Sequence, residues 1–274
     1  MRAVLAKDES WAEAGHEIAW GQGQLAAAPA PAPASVSAAA TAAEGGYRLG
    51  DAVFDAYGRL TAIGGLEIEG PRLDLWRAPT DNDLRSWHGA LADQWREIPA
   101  GLHRLEHKVL GIDAGDGGLA VTTRVAAAGA EIGMGAVYRW TGADGVLWLT
   151  VEVNPDGEWD FPLPRLGVRA SLPRAYDDVT WFGGGPGEAY ADTRDAARVG
   201  RFRSTVAGLQ TPYVFPQENG SRIDVRWARL AAPEGPRSPS TADRCSRSPR
   251  GRGRARTWRR PATAPTWSNA TAST

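Results

Sequence analysis

The sequence predicts an all-β protein, an antiparallel sandwich that carries a single helix. Three observations lead there. Beyond position 46 the apolar residues recur mostly at period two, in short runs separated by Gly and Asp turns. Only one stretch has helical spacing. Hydrophobic residues make up 42% of the 274, with 12 Trp among them, enough bulk for one large core or two small ones. The only cysteine, Cys245, excludes an internal disulfide framework and a cysteine-based zinc site. No run approaches the ~18 apolar residues that a membrane helix needs, and the apolar part of residues 1–7 is too short for a signal peptide, so the expected location is the cytoplasm, with no membrane partner.

Residues 1–25 contain Ala3-Val4-Leu5-Ala6 and an alternating stretch around Ile18 and Trp20. They read as two strands, too few for a domain, and His16 reads as a strand histidine rather than a catalytic one. Residues 26–46 are rich in Ala and Pro, the composition of an extended spacer. From Tyr47 a hairpin is expected, with Leu49, Val53 and Phe54 in one arm, Tyr57-Gly58 at the turn and Leu60, Ala62 and Ile63 in the other. Residues 66–69 alternate, and Gly70-Pro71 is expected to break that strand. Trp87, Leu91, Trp95 and Ile98 form the helical stripe, with Asp93, Arg96 and Glu97 off it, and Pro99 and Gly101 end it. Strands are expected over 105–112, 119–125, 132–140, 147–153, 166–170 and 223–227.

Three motifs stand out: LWRAPTDND at 75–83, WFGGGPGEAYADTRDA at 181–196 and TPYVFPQENGSRIDVRW at 211–227. The glycines at 183–185 lead into Pro186 and lack the Lys or Ser/Thr offsets of a phosphate loop. In the first motif Asp81, Asn82 and Asp83 carry short, stiff acceptors. These suit either local turn capping or grasping sugar hydroxyls, and turn chemistry is the commoner use. Glu188 and Glu218 could approach one another, but a carboxylate beside glycines and amides is more often a loop brace than a catalyst. His88, His103 and His107 have no metal spacing with acidic neighbours, so neither catalytic nor metal-binding residues are assigned.

Together the three motifs resemble, in order, the C-terminal region of the bacterial β-galactosidases of glycoside hydrolase family 2, called domain 5 or the small chain. That resemblance implies a large antiparallel supersandwich, similar to galactose mutarotase, for residues 47–236, here truncated. The Ala-Gly-His and Ala-Trp segment of residues 1–25 resembles the close of the preceding immunoglobulin-like sandwich, so residues 1–25 are expected to be a remnant of it and Met1 an internal or misassigned start. The family retains configuration with two carboxyl groups ~5 Å apart. The resemblance puts both, and the family's magnesium, in a barrel domain upstream of this chain. No cofactor is expected here, and the implied partners are a β-galactosidase catalytic domain or large chain and its galactoside substrate. The loop at 75–83 lies near the active-site mouth in the family, which makes Asp81, Asn82 and Asp83 candidate substrate-binding residues.

After Pro236 the composition changes. Residues 237–274 hold nine Arg and one Asp, a net of +8, leaving −9 on residues 1–236 against −1 for the whole chain, and they contain no Leu, Ile, Val, Phe, Tyr, Met, Lys or Glu. Such a segment is expected to be disordered. A GC-rich gene read one base out of frame accounts for it: shifting the frame over 262–274 permits RHRTDLVERDRIYV, and further upstream it permits PLLALTARPWSRADLAAARH, a patterned continuation that sequencing codons 230 to 240 would test. The family lends an acceptor-side tryptophan from beyond its VRW strand, but in a shifted frame neither Trp258 nor Trp267 inherits that role.

The expected function is therefore that of a β-galactosidase fragment that contributes structure rather than the reacting carboxylates. Two other classes stay open. A free-standing carbohydrate-binding or mutarotase-like module would lack a neighbouring barrel gene. An arginine-tail nucleic-acid binder would show salt-sensitive DNA association, and no nucleic-acid partner is expected.

Overall fold

Antiparallel ladders organise both units of the chain. The computed structural model describes residues 1–25, 38–85, 89–97, 100–143, 145–232 and 256–258, and the chain divides into Met1–Pro31 and Ala32–Thr274. In the first unit β1 (Arg2–Val4) pairs with β2 (Glu17–Trp20), Arg2 opposite Trp20. His16 sits exposed one residue before β2, edge-on to Trp11. Val4 and Ile18 are exposed within this hairpin, as expected for two strands with no second layer.

The second unit opens with the meander β3 (Ala40–Ala43), β4 (Gly46–Leu49), β5 (Ala52–Asp55), β6 (Leu60–Ile63) and β7 (Leu66–Glu67). The expected spacer is thus a strand over its last described residues, because Ala40 to Ala43 pair with Leu49 to Gly46; residues 26–37 lie outside the described ones. The Tyr57-Gly58 turn forms as expected, with Asp55 Oδ1 accepting the backbone N–H of Tyr57 and Arg59 at 2.9 Å each. Gly70-Pro71 does not end a strand. It lies inside β8 (Glu69–Asp74), at an irregularity in the pairing with β13 (Gly167–Ser171). Gly70 has φ +88°, and a Cβ there would stand 2.6 Å from Arg169 O, so glycine lets the two backbones close up at a bulge.

The single long helix is also corrected. It is shorter than its stripe: α2 (Leu91–Arg96) holds Leu91 and Trp95, while a separate single turn, α1 (Asp81–Leu84), precedes the stripe, and Gly89 at φ +87° lies just before α2; Trp87 and Ile98 lie outside the described residues. Trp95 is nonetheless buried as the stripe requires. Beyond α2, β9 (Leu105–Gly115), β10 (Gly118–Ala127), β11 (Gly133–Ala143) and β12 (Val146–Asp156) form a four-stranded meander. Burial alternates along β11, and its inward Met134, Ala136, Tyr138 and Trp140 share one core with Leu49, Phe54, Leu60, Leu73, Leu75 and Trp95. Phe54 meets Trp140 edge to face at 5.3 Å.

A second, smaller core gathers Val179, Trp181, Val206, Leu209, Val225 and Ala228 beside β14 (Asp178–Gly185), β15 (Arg198–Thr205) and β16 (Trp227–Ala231). The strand expected over 223–227 starts only at Trp227, because Asp224 takes the left-handed φ of +52° and interrupts the ladder. Within the expected tail, β17 (Arg256–Trp258) pairs with β13; the rest of 237–274 lies outside the described residues.

His107, on β9, carries a pH prediction. Burial foremost, and then the positive charges of Arg72, Arg59 and Arg169, push its imidazole down from 6.5 to about 4, against a hydrogen bond with the Leu73 backbone. Between those values the unfolded chain binds a proton that the native chain refuses. The stabilisation from neutral His107 is therefore complete above 6.5 and is lost as pH falls toward about 4. Urea midpoints should drop between pH 6.5 and 5 and drop less in His107→Gln; equal slopes in the two proteins would refute this.

Candidate functional site

The 75–83 motif is a braced turn. Thr80 caps α1 in a capping box with Asp83, whose Oδ2 accepts from Thr80 N–H at 2.7 Å and from Thr80 Oγ1 at 2.9 Å. Arg77 grips the same carboxylate with both terminal nitrogens, Nη1 to Oδ2 at 2.5 Å and Nη2 to Oδ1 at 2.8 Å. Its Nε–H donates to Pro164 O at 3.1 Å, and its guanidinium lies over the Trp95 ring. Burial works to raise the Asp83 carboxyl, but the hydrogen bonds from Arg77 and Thr80 outweigh it and hold it below the usual carboxylate range. Asp83 thus spends its oxygens inside the protein, whereas Asp81 and Asn82 are exposed at the first turn of α1.

The glycine motif is a backbone seam. Gly183, Gly184 and Gly185 lie in β14, where Arg226 N–H donates to Phe182 O and Gly184 N–H to Ile223 O, both at 2.8 Å. A Cβ on Gly183 would fall 2.6 Å from Val225 Cα, and one on Gly184 2.8 Å from Ile223 O. The glycines are there because another backbone passes too close for a side chain. Glu188 follows them and reaches across to the third motif. Its Oε2 accepts from Thr211 Oγ1 at 3.0 Å and from the Gly220 backbone N–H, and its Oε1 accepts from the Tyr213 hydroxyl at 2.7 Å. One carboxylate therefore holds both ends of the 211–220 loop.

Arg165 joins the two halves. Its Nη2 donates to Glu218 Oε1 in an ion pair, and its Nη1 donates to Trp76 O at 3.4 Å. The Arg165 side chain is 7% exposed. Around this pair lie further buried polar groups. Burial raises the Asp74 carboxyl, opposed by Arg169, the Trp76 N–H and Arg165 and assisted by Glu218. Burial, with the charges of Glu218 and Glu188, raises the Tyr190 hydroxyl. Arg222, 5% exposed, is lowered by burial against the pull of Glu188 and Tyr190 and lies over Trp181. The three motifs, far apart in sequence, thus share one polar seam.

The structure therefore separates the candidates. Asp81 and Asn82 face solvent, while Asp83, Glu188 and Glu218 are engaged by partners within the chain. Among the described residues no three His, Cys, Asp or Glu side chains gather where they could hold a metal ion. His103 is exposed beside Trp76, His107 lies on β9, and His88 lies outside the described residues. The linking residues Arg165, Arg222, Asp74 and Tyr190 were not singled out from the sequence. Tyr190 and Arg222 lie within the motifs that were, whereas a lone Arg165 in a Pro-rich stretch gives no local signal of a partner 53 residues away.

Comparison with known proteins gives this arrangement a family. The profile of a family described as "Beta galactosidase small chain" matches residues 52–264. A β-galactosidase of Arthrobacter sp. (strain B7) is 37% identical over 247 residues, 84% of this chain and 24% of that protein. One from Aeromonas hydrophila is 32% identical over 247 residues, 82% of this chain and 24% of its own length. One from Kluyveromyces lactis is 28% identical over 248 residues, 83% of this chain and 24% of its own. The chain spans about a quarter of the length of these curated relatives. With the family profile covering most of its residues, the chain belongs to the β-galactosidase small-chain family.

Proposed function

We propose that this chain works as part of a β-galactosidase that hydrolyses terminal non-reducing β-D-galactose residues by double displacement. It forms a wall of the active-site mouth in a supersandwich like that of galactose mutarotase. The reacting carboxylates and the magnesium ion belong to a large catalytic chain or domain with which it assembles in the cytoplasm. One observation carries this reading: in a chain that aligns with a quarter of the β-galactosidases it matches, both motif glutamates turn their oxygens to their own surroundings, Glu188 to a loop and Glu218 to Arg165. A retaining glycosidase instead needs two carboxyl groups open to the sugar, ~5 Å apart. Asp81 and Asn82, exposed at a turn that Arg77 and Asp83 brace, border the sugar in this reading, with Asp83 behind them.

The purified 274-residue chain should hydrolyse no chromogenic galactoside, and hydrolysis should appear when it is co-produced with a β-galactosidase large chain. Within that assembly Asp81→Ala combined with Asn82→Ala should raise KM severalfold with little change in kcat. Turnover by the small chain alone would refute the assignment of the chemistry to the partner.

A further inference from the structure

The loop between Thr211 and Gly220 is tied down at its ends and apolar at its tip. Val214 is 91% exposed and Phe215 74%, next to the half-exposed Tyr213. Three consecutive large apolar residues facing water are costly and, on a soluble surface, point to something that covers them. Among the other described residues of the second unit, large exposed apolar residues such as Leu110 on β9 stand singly in sequence, which is ordinary.

The tip is also held in place rather than left loose. Glu188 grips Thr211, Tyr213 and Gly220, the Tyr213 N–H donates to Thr211 O at 2.9 Å, Pro212 and Pro216 fix φ on either side of the tip, and Glu218 is paired to Arg165. A loop ordered in advance loses little conformational entropy when it binds, and an aromatic held out from such a loop is the usual form of an interface anchor. The occupant follows from length. The relatives are about four times as long as the segment they share with this chain, so the polypeptide available to cover the tip is the remaining three-quarters.

We propose that Val214 and Phe215 are the apolar anchor by which this small chain docks on the large catalytic chain, with Glu188 as the residue that positions it. This rests on the assembly argued under Proposed function. The anchor enters an apolar recess of the partner, and the Arg165 link from Glu218 to Trp76 O couples its seating to the turn that carries Asp81 and Asn82.

The test is co-purification of the full 274-residue chain with a tagged β-galactosidase large chain, followed by titration of the purified partners. Val214→Asp combined with Phe215→Asp should weaken the complex at least tenfold, while Leu110→Asp binds as the parent does and both variants keep the parent's circular dichroism. If the double variant binds like the parent, the anchor is elsewhere and the assembly still stands. If the parent itself never binds a large chain, the assembly fails and the anchor with it. Light scattering covers the remaining outcome: a double variant that loses only self-association would show that the tip contacts a second copy, which also overturns the proposal.

Discussion

Arg165→Met is expected to lower the unfolding free energy by about 3–5 kcal/mol, the range found when one partner of a buried ion pair is removed. The cost comes from what is left behind. Glu218, 16% exposed at its side chain, would be left without its partner, beside Asp74, which already feels its charge, and Trp76 O would lose a donor. Since Arg165 lowers the Asp74 carboxyl and Glu218 raises it, removing the guanidinium should push Asp74 higher still. Native Asp74 then holds its proton over a wider range above 3.8, so the variant should recover part of its loss as pH falls through that range. Pairing Arg165→Met with Glu218→Met removes both charges and should regain more than half of the loss, because the methionines pack without a stranded ion. Urea denaturation of the two proteins measures both effects. A loss below about 1 kcal/mol for the single variant would place the pair among screened surface bridges and remove it as the link between the motifs.

That link also shows where sequence reasoning stops. The strands of the central meander were legible because their apolar residues recur mostly at period two, with turn residues between neighbours: 105–112 became Leu105–Gly115, and 132–140 became Gly133–Ala143. β14 and β15 were not. β14 ends in three glycines, which carry no pattern and look like a loop until the backbone at 223–225 is seen passing Gly183 and Gly184. β15 sets Arg at 198, 201 and 203 among few apolar residues, and its only clear apolar partner, Phe202, packs on a core made elsewhere in the chain. The helix is shorter than its stripe for a related reason: four apolar residues satisfy the spacing rule, but helices this short depend on their packing and caps, and Gly89, at φ +87°, stands just before α2 begins at Leu91. At the site, the motif residues were visible and their roles were divided. Asp83 and Glu188 could be read as braces from their neighbours, whereas Arg165 depends on a contact spanning 53 residues, which no local pattern encodes.

Glu188 offers the second large effect, and its two substitutions should part company. Glu188→Ala removes the acceptor of three donors at once. The Tyr213 hydroxyl, on an exposed residue, can turn to water at little cost, but the Gly220 N–H belongs to a buried residue, and a buried donor left unpaired costs about 1–3 kcal/mol. With the Thr211 hydroxyl added, the total should be about 2–4 kcal/mol, concentrated in the 211–220 loop, and faster hydrogen exchange at Gly220 would report it directly. Glu188→Gln keeps the shape. Its carbonyl oxygen can serve Gly220 and Thr211, and its amide can donate to the Tyr213 hydroxyl, which accepts as readily as it donates. The loss should then be about 1 kcal/mol, and Tyr190, relieved of one of the charges that raise its hydroxyl, should titrate closer to its ordinary value of 10.0. A catalytic carboxylate would behave otherwise, because an amide cannot exchange protons or attack a sugar, and glutamine would then be as damaging as alanine in the assembled enzyme. Near-parent turnover with glutamine and a loosened, poorly docking loop with alanine is the result that fits a brace. Equal loss of turnover in both, with the loop still ordered, would make Glu188 part of the chemistry after all.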